Sequence, residues 1–109
     1  MGMNPQNMQK MMKQMQKMQD DMVRVQEELK QESVESESGG VVKATFNGHG
    51  EIQAITIAPE AVDPNDVEML QDLILTAVRD GQAKAQALAA ERLGRVTGNL
   101  NLPGMPGVF

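Results

Sequence analysis

The chain has 109 residues, enough for a single domain with a modest core. It contains two Phe but no Trp or Tyr, so Met and Ala supply much of its apolar surface and favour helix packing. The lack of Cys excludes disulfides and thiolate metal sites, and no apolar run approaches the ~20 residues of a membrane span. We therefore expect a cytoplasmic protein with no membrane partner that gains burial by self-association.

Charge is segregated along the chain. The net charge is -5, but residues 1–19 carry +3 and residues 83–109 carry +2, whereas residues 20–40 and 41–82 carry -5 each. Because the two ends are basic and the middle is acidic, an acidic protein could still present a basic surface to a polyanion.

A long helix is predicted from Pro5 to Glu32, since Asn4-Pro5 has the pattern of an N-cap followed by the first helical position. Such a helix is roughly 40 Å long at about 1.5 Å per residue, so part of it must project from a small core. Its apolar residues recur in steps of three and four and occupy the a and d positions of a heptad. This seam is predicted to mediate dimer or helix packing, within a chain or between chains, through Met8, Met11, Met15, Met18, Met22, Val25 and Leu29.

Three short strands are predicted next. Val34 lies between polar residues and predicts a short edge strand. Val41–Phe46 and Ile52–Ile57 are rich in strand-forming residues and flank Asn47-Gly48-His49-Gly50, a strong hairpin signal.

The hairpin has an irregular pattern of apolar residues. The simple register sets Val42 opposite Ile55 but leaves Ile52 on the face of Thr45. Since neither face is then cleanly apolar, we expect either a β-bulge or a sheet covered on both sides.

A second long helix is predicted from the cap-like pair Asp63-Pro64 to about Thr97-Gly98. Small residues recur every four positions along one face of this helix, at Ala77, Gly81, Ala85 and Ala89. This row predicts the close approach of another helix. We expect residues 1–98 to form one α-β-β-β-α domain. Residues 99–109, rich in Pro and Gly, are expected to form a flexible tail, or to dock Leu102, Met105 or Phe109 on a neighbour.

Five stretches of the sequence together carry a family pattern, namely Met11–Gln19, Gly40–Gly48, Ile55–Pro59, Val67–Ile74 and Leu102–Pro106. Their residues and their order resemble the YbaB/EbfC family of nucleoid-associated proteins. The resemblance implies an α+β fold within the α/β class, with two layers formed by a long helix, a three-stranded antiparallel sheet and a second long helix. It also implies a homodimer with projecting helical arms, DNA binding without catalysis, and a place in the nucleoid.

The basic ends are the candidate site for duplex DNA. Lys10, Lys13 and Lys17 fall at heptad positions c, f and c, so they form one stripe opposite the Met seam. Lysines in the first half of a helix oppose its dipole, which favours a ligand such as phosphate over a purely structural role. If both helices project the same way, Arg92 and Arg95 come near this stripe. The full predicted DNA-binding set is Lys10, Lys13, Lys17, Arg24, Lys84, Arg92 and Arg95.

Other functions have weaker support in the sequence. A solvated charged face is the structural alternative to a DNA site. A Met-rich groove for client proteins, as in an adaptor or chaperone, is the functional alternative. His49 is the single histidine and lies in a predicted turn. Because no nucleophile has a recognisable base and no phosphate-binding glycine motif is present, we expect no enzyme, no cofactor, no metal and no small-molecule substrate.

Overall fold

The computed structural model describes residues 5–98. The elements are α1 (Pro5–Gln31), β1 (Val34–Ser38), β2 (Val42–Phe46), β3 (Ile52–Ile57), a short 3-10 helix (Pro59–Ala61) and α2 (Val67–Gly98). This order confirms the predicted helix, three strands and helix, whereas Asn4 and the predicted tail at 99–109 lie outside the described residues. The principal extents are 77 × 26 × 15 Å, so the protein is strongly elongated.

The three strands form an antiparallel sheet in the order β1-β2-β3. Its hairpin contains a bulge, because Phe46 pairs with Ile52 while Thr45 pairs with Ala54. This confirms the first of the two predicted alternatives. The simple register is wrong: Phe46 lies opposite Ile52 and not Glu51, which shifts the pairing by one residue, and the bulge shifts it by one more. Val42 therefore pairs with Ile57 and not with Ile55. The bulge puts all three β3 isoleucines on one face of the sheet.

The two faces of the sheet differ in polarity. Val42, Ala44 and Phe46 on β2 are buried and form the main core with Ala77 of α2. The opposite face carries polar side chains such as those of Lys43 and Thr45. One face therefore packs on α2, and the other is suited to solvent.

The row of small residues on α2 packs on the sheet. A Cβ built at Gly81 would lie 2.6 Å from Phe46 Cδ2, closer still to Phe46 Cε2, and 2.9 Å from Ser36 Oγ. The Ser36 hydroxyl also donates a hydrogen bond to the Ala77 carbonyl. The prediction that this row brings another helix close is therefore wrong for Ala77 and Gly81, because a strand and an aromatic ring occupy that space.

α2 begins later than its predicted cap. Asp63 accepts a hydrogen bond from Asn65 N at its Oδ1 (2.9 Å) and one from Asp66 N at its carbonyl (2.9 Å), so it closes a turn before the helix. The helix is capped by Asp66, whose Oδ1 accepts from Met69 N at 3.2 Å. Asp63-Pro64 thus ends the connection from the sheet, and Asp66, three residues after Asp63, caps the helix.

The Met seam divides into two parts. Val25 and Leu29 are buried with Val96 in a second core cluster, and Met18 and Met22 pack against it at partial exposure. This part of the seam packs within the chain, onto the second half of α2. The first part is uncovered by any described residue: Met8 and Met11 are 50% exposed and Met15 is 64% exposed.

Candidate nucleic-acid interface

The hairpin turn anchors the C-terminal end of α1. Gly48 N donates a 2.7 Å hydrogen bond to the carbonyl of Leu29, one of the last carbonyls of the helix. A Cβ at Gly48 would lie 2.5 Å from that oxygen, so only glycine permits this approach. His49 Nε2 donates to the Gln26 carbonyl at 3.0 Å, one turn earlier. The hairpin turn therefore holds the C-terminal end of α1, which we call its base, at two backbone positions.

The turn itself is held by the buried side chain of Asn47. Its Oδ1 accepts from His49 N at 3.0 Å and from Glu51 N at 3.1 Å, and its Nδ2 donates to Glu51 Oε1 at 2.7 Å. Gly50 follows with a φ of 81°, a conformation that glycine adopts without strain. These bonds fix the turn that contacts α1.

Ion pairs complete the base of α1. Arg92 Nη2 lies 2.8 Å from Glu32 Oε1, with the two side chains 27% and 33% exposed. Arg24 pairs with Asp21 at 2.9 Å, and Arg95 pairs with Glu91 at 2.6 Å. All three arginines line one groove between the helices, where the carboxylates offset their charge.

Beyond this base, the N-terminal part of α1 projects as an arm, which we define as residues 5–17. Every residue of the arm is exposed. Within the described part of the chain, Lys10, Lys13 and Lys17 have no ion pair with a carboxylate. The arm therefore presents a stripe of three uncompensated positive charges, which we call the lysine stripe.

The other predicted DNA-binding residues lie elsewhere. Arg92 contacts Glu32, which follows Lys17 by fifteen residues, or about 22 Å along a helix. The expectation that Arg92 joins the lysines at the tip is therefore wrong. Arg95 shares its groove with Asp21, about one turn from Lys17. Lys84 Nζ donates to the Glu35 carbonyl at 3.2 Å, on the sheet.

Sequence reasoning did not identify His49 or Gly48 as contacts of α1. The turn signal placed both in a hairpin, and His49 is indeed exposed there. Nothing local in the sequence marks a contact with Gln26, twenty-three residues away. The sequence predicted the turn, but the contact of Gly48 and His49 with α1 depends on how α1 crosses the sheet.

Among residues 5–98, no group of His, Cys, Asp or Glu is arranged to hold a metal ion. No helix in the same range is long and apolar enough to cross a bilayer.

The fold and the lysine stripe define the chain as a small α+β protein with a basic helical arm, an arrangement suited to a polyanionic partner. The chain belongs to the YbaB/EbfC DNA-binding family, whose sequence pattern matches residues 3–100.

Relatives support this assignment along nearly the whole chain. A nucleoid-associated protein of Pelotomaculum thermopropionicum is 58% identical over 100 residues, covering 91% of this chain and 95% of the relative. A nucleoid-associated protein of Roseiflexus sp. strain RS-1 is 52% identical, covering 94% and 99%. The crystal structure of an uncharacterized protein from Helicobacter pylori aligns with a TM-score of 0.58 at 25% identity, covering 80% of this chain and 95% of that chain.

Proposed function

We propose that this protein is a nucleoid-associated, non-catalytic protein that binds duplex DNA as a homodimer, largely through phosphate contacts of the lysine stripe. The observation that carries the proposal is the stripe itself: Lys10, Lys13 and Lys17 are exposed and unpaired within residues 5–98. Membership of a DNA-binding family supports DNA as the polyanion that this stripe would bind. Such binding would serve nucleoid organisation or gene regulation in the cytoplasm.

The dimensions of the stripe suit a duplex. Lys10 and Lys17 are seven residues apart, which is about 10 Å along a helix. Over that length a duplex presents about six phosphate charges, at one per ~1.7 Å of its axis. Lysine contacts phosphate as a point charge and reads no base edge, so we expect binding with little sequence preference. The two aromatic residues of the chain are too few for stacking on single strands.

The remaining predicted contacts have a secondary role in this proposal. Arg24, Arg92 and Arg95 each have a carboxylate partner, so a phosphate would have to replace that partner. Lys84 is bound to a backbone carbonyl on the sheet. Since an exchange of partners gains less than a new contact, removal of these residues should weaken DNA binding less than removal of the lysine stripe.

Self-association is proposed to occur through the apolar surface beside β3. α2 covers β1 and β2 but leaves β3 largely uncovered. Ile52 and Ile55 on the inner face of β3 are 48% and 42% exposed, and Val67 and Leu75 on α2 are also exposed. A second copy of the chain would remove this apolar surface from water and cover the unpaired edge of β3.

The proposal is tested with the triple variant Lys10→Ala, Lys13→Ala and Lys17→Ala. Gel-shift titrations with several unrelated duplexes should show affinity for the wild-type protein at low salt and a loss on every duplex for the variant. The loss has a physical cause: three lysine charges per chain no longer displace counterions from the duplex.

A second triple variant controls for net charge. Lys30→Ala, Lys43→Ala and Arg79→Ala also remove three positive charges, and both variants change the net charge from -5 to -8. This control should retain nearly wild-type affinity, because its residues lie outside the arm. Equal losses in both variants would contradict the assignment of the site. Absence of any shift for wild-type protein at low salt would favour the adaptor or chaperone alternative.

A further inference from the structure

The first part of the Met seam is apolar, and no residue among 5–98 covers it. Met8 and Met11 are 50% exposed, while Met12 and Met15 beside them are 66% and 64% exposed. They continue the heptad row whose later members pack against α2 in the same chain. Because this row already forms one contact between helices, its uncovered continuation on the arm is suited to a second helix.

We propose that the arms of two copies of the chain pair antiparallel through this part of the Met seam. Met8 and Met15 occupy heptad position a, and Met11 and Met18 occupy position d. In an antiparallel pair, a residues face d residues, so Met11 would lie opposite the partner's Met15, and Met8 opposite the partner's Met18. Each arm would then contribute four methionines to one shared apolar core.

The end of α2 limits how far a second helix can extend along the seam. α2 runs antiparallel to α1, because Arg92 contacts Glu32 while Val96 packs with Val25. The helix ends at Gly98, two residues after Val96 or about 3 Å further along. It therefore occupies the seam down to a level about two residues on the arm side of Val25.

Only an antiparallel partner fits the space that α2 leaves. In the register above, the partner's Pro5 would lie at the level of Asp21, about 3 Å beyond the end of α2. The described helices would then follow one another along the seam without overlap. In a parallel pair, the partner's α1 from Met18 onward would run into the position that α2 already occupies.

The charges of the arm are compatible with this pairing. Lys10, Lys13 and Lys17 occupy positions c and f, which point away from the seam, so both lysine stripes would lie on the outer sides of the pair. Positions e and g flank the seam, and within residues 5–19 they carry no charged side chain. Met12 and Gln14 at these positions would face their own copies in the partner. The contact therefore opposes no like charges and gains the apolar surface of Met12.

Arm pairing would be a second contact between copies, separate from the proposed surface beside β3. Two heptads make a short coiled coil, so the pairing of separate copies should be weak and should depend on protein concentration. A chain with both self-complementary surfaces can assemble beyond a dimer, a consequence that rests on the proposed β3 contact.

The test of arm pairing contains no DNA. Because the chain has no native Cys, disulfides form only between introduced thiols. Full-length chains with Met11→Cys and full-length chains with Met15→Cys are co-expressed, purified and oxidised, and the disulfides are identified by mass spectrometry after tryptic cleavage, which separates the two positions at Lys13. The matched control combines Lys10→Cys with Lys17→Cys, whose thiols would lie at nearly the same levels but on the outer sides of the pair.

We expect the disulfide that joins position 11 of one chain to position 15 of another to be at least tenfold more abundant than either disulfide between identical positions. The control mixture should form its mixed disulfide at least tenfold more slowly. Equal rates in the two mixtures would overturn the proposal, as would the absence of disulfides between chains. Predominance of disulfides between identical positions would overturn it too, because that result indicates a parallel pair.

A second measurement uses no cysteine. Amide hydrogen exchange of residues 8–17 in wild-type protein should slow at least fivefold when the protein concentration is raised about a hundredfold, because pairing protects the arm. The double variant Met11→Ser and Met15→Ser should lose this concentration dependence. Ile55→Asp should retain it, since Ile55 lies on β3, and this variant separates arm pairing from the proposed dimer. Exchange in the wild-type arm that does not respond to concentration would overturn the proposal.

Discussion

Replacement of Gly81 by Ala tests how closely α2 packs on the sheet. The added Cβ would lie 2.6 Å from Phe46 Cδ2 and nearer to Cε2, whereas carbon atoms pack at about 3.5 to 4.0 Å. Phe46 is 1% exposed, so its ring has no open space into which to move. Overpacking of this kind costs about 1 to 3 kcal/mol, and we expect the upper end because backbone and ring must separate.

Helix propensity acts in the opposite direction. Ala is favoured over Gly by about 1 kcal/mol inside a helix, so the net loss of unfolding free energy at Gly81 should be about 2 kcal/mol. Gly94 provides the matched control in the same helix, since nothing lies within 4 Å of a Cβ built there. Gly94→Ala should therefore stabilise the protein by about 0.5 to 1 kcal/mol.

Urea unfolding followed by circular dichroism measures both variants. With a slope of about 2 kcal/mol per molar urea, Gly81→Ala should lower the midpoint by about 1 M, while Gly94→Ala should raise it slightly. Protein concentration must be the same throughout, because self-association would make the midpoint depend on it. Equal stability of Gly81→Ala and Gly94→Ala would refute close packing of α2 against Phe46 at Gly81.

Two further variants test the proposed dimer surface and the anchor of the arm. Ile55→Asp should convert a dimer of 11.9 kDa chains to monomers in light scattering, whereas Thr56→Asp on the opposite face of β3 should not. A dimer would lose two buried isoleucines, one from each chain, which costs about 3 kcal/mol or more. An unchanged mass for Ile55→Asp would disprove the proposed dimer surface. Asn47→Ala removes three hydrogen bonds from a buried side chain and should lower the unfolding free energy by about 2 kcal/mol, whereas exposed Asn65→Ala should have little effect. Equal stability of the two Asn variants in urea unfolding would contradict the role of the turn.

Local signals in the sequence predicted most of the fold. The heptad of α1, the Asn-Gly turn and the alternation in β2 each act over a few residues, so their elements appear where they were expected. The mixed apolar pattern of the hairpin left a bulge and a sheet covered on both sides as alternatives, and it did not give the position of the bulge. Propensity and periodicity were sufficient here because the elements are long or strongly patterned.

Contacts between distant elements were less accessible from the sequence. The row containing Gly81 signalled a close neighbour but did not distinguish the ring of Phe46 from a second helix. Arg92 was expected at the arm tip, yet Glu32, sixty residues earlier, pairs with it. The offset between α1 and α2 decides that pairing, and it depends on the packing of Val25, Leu29 and Val96.

The offset between α1 and α2 also separates the lysine stripe from the arginines that have carboxylate partners. Because α2 covers α1 only from about Met18 onward, the lysine stripe remains on a free arm while the arginines meet carboxylates at its base. The sequence identified the basic residues, but only the structure distinguishes those with a carboxylate partner from those without one among residues 5–98.

The salt dependence of DNA binding measures directly whether the lysine stripe contacts phosphates. The logarithm of the binding constant, plotted against the logarithm of salt concentration, should become shallower by about 0.9 for each phosphate contact that the variant loses. We predict a clearly shallower slope for Lys10→Ala, Lys13→Ala and Lys17→Ala together, and a nearly wild-type slope for Lys30→Ala, Lys43→Ala and Arg79→Ala together. Identical slopes for wild-type protein and the arm variant would contradict binding through the lysine stripe.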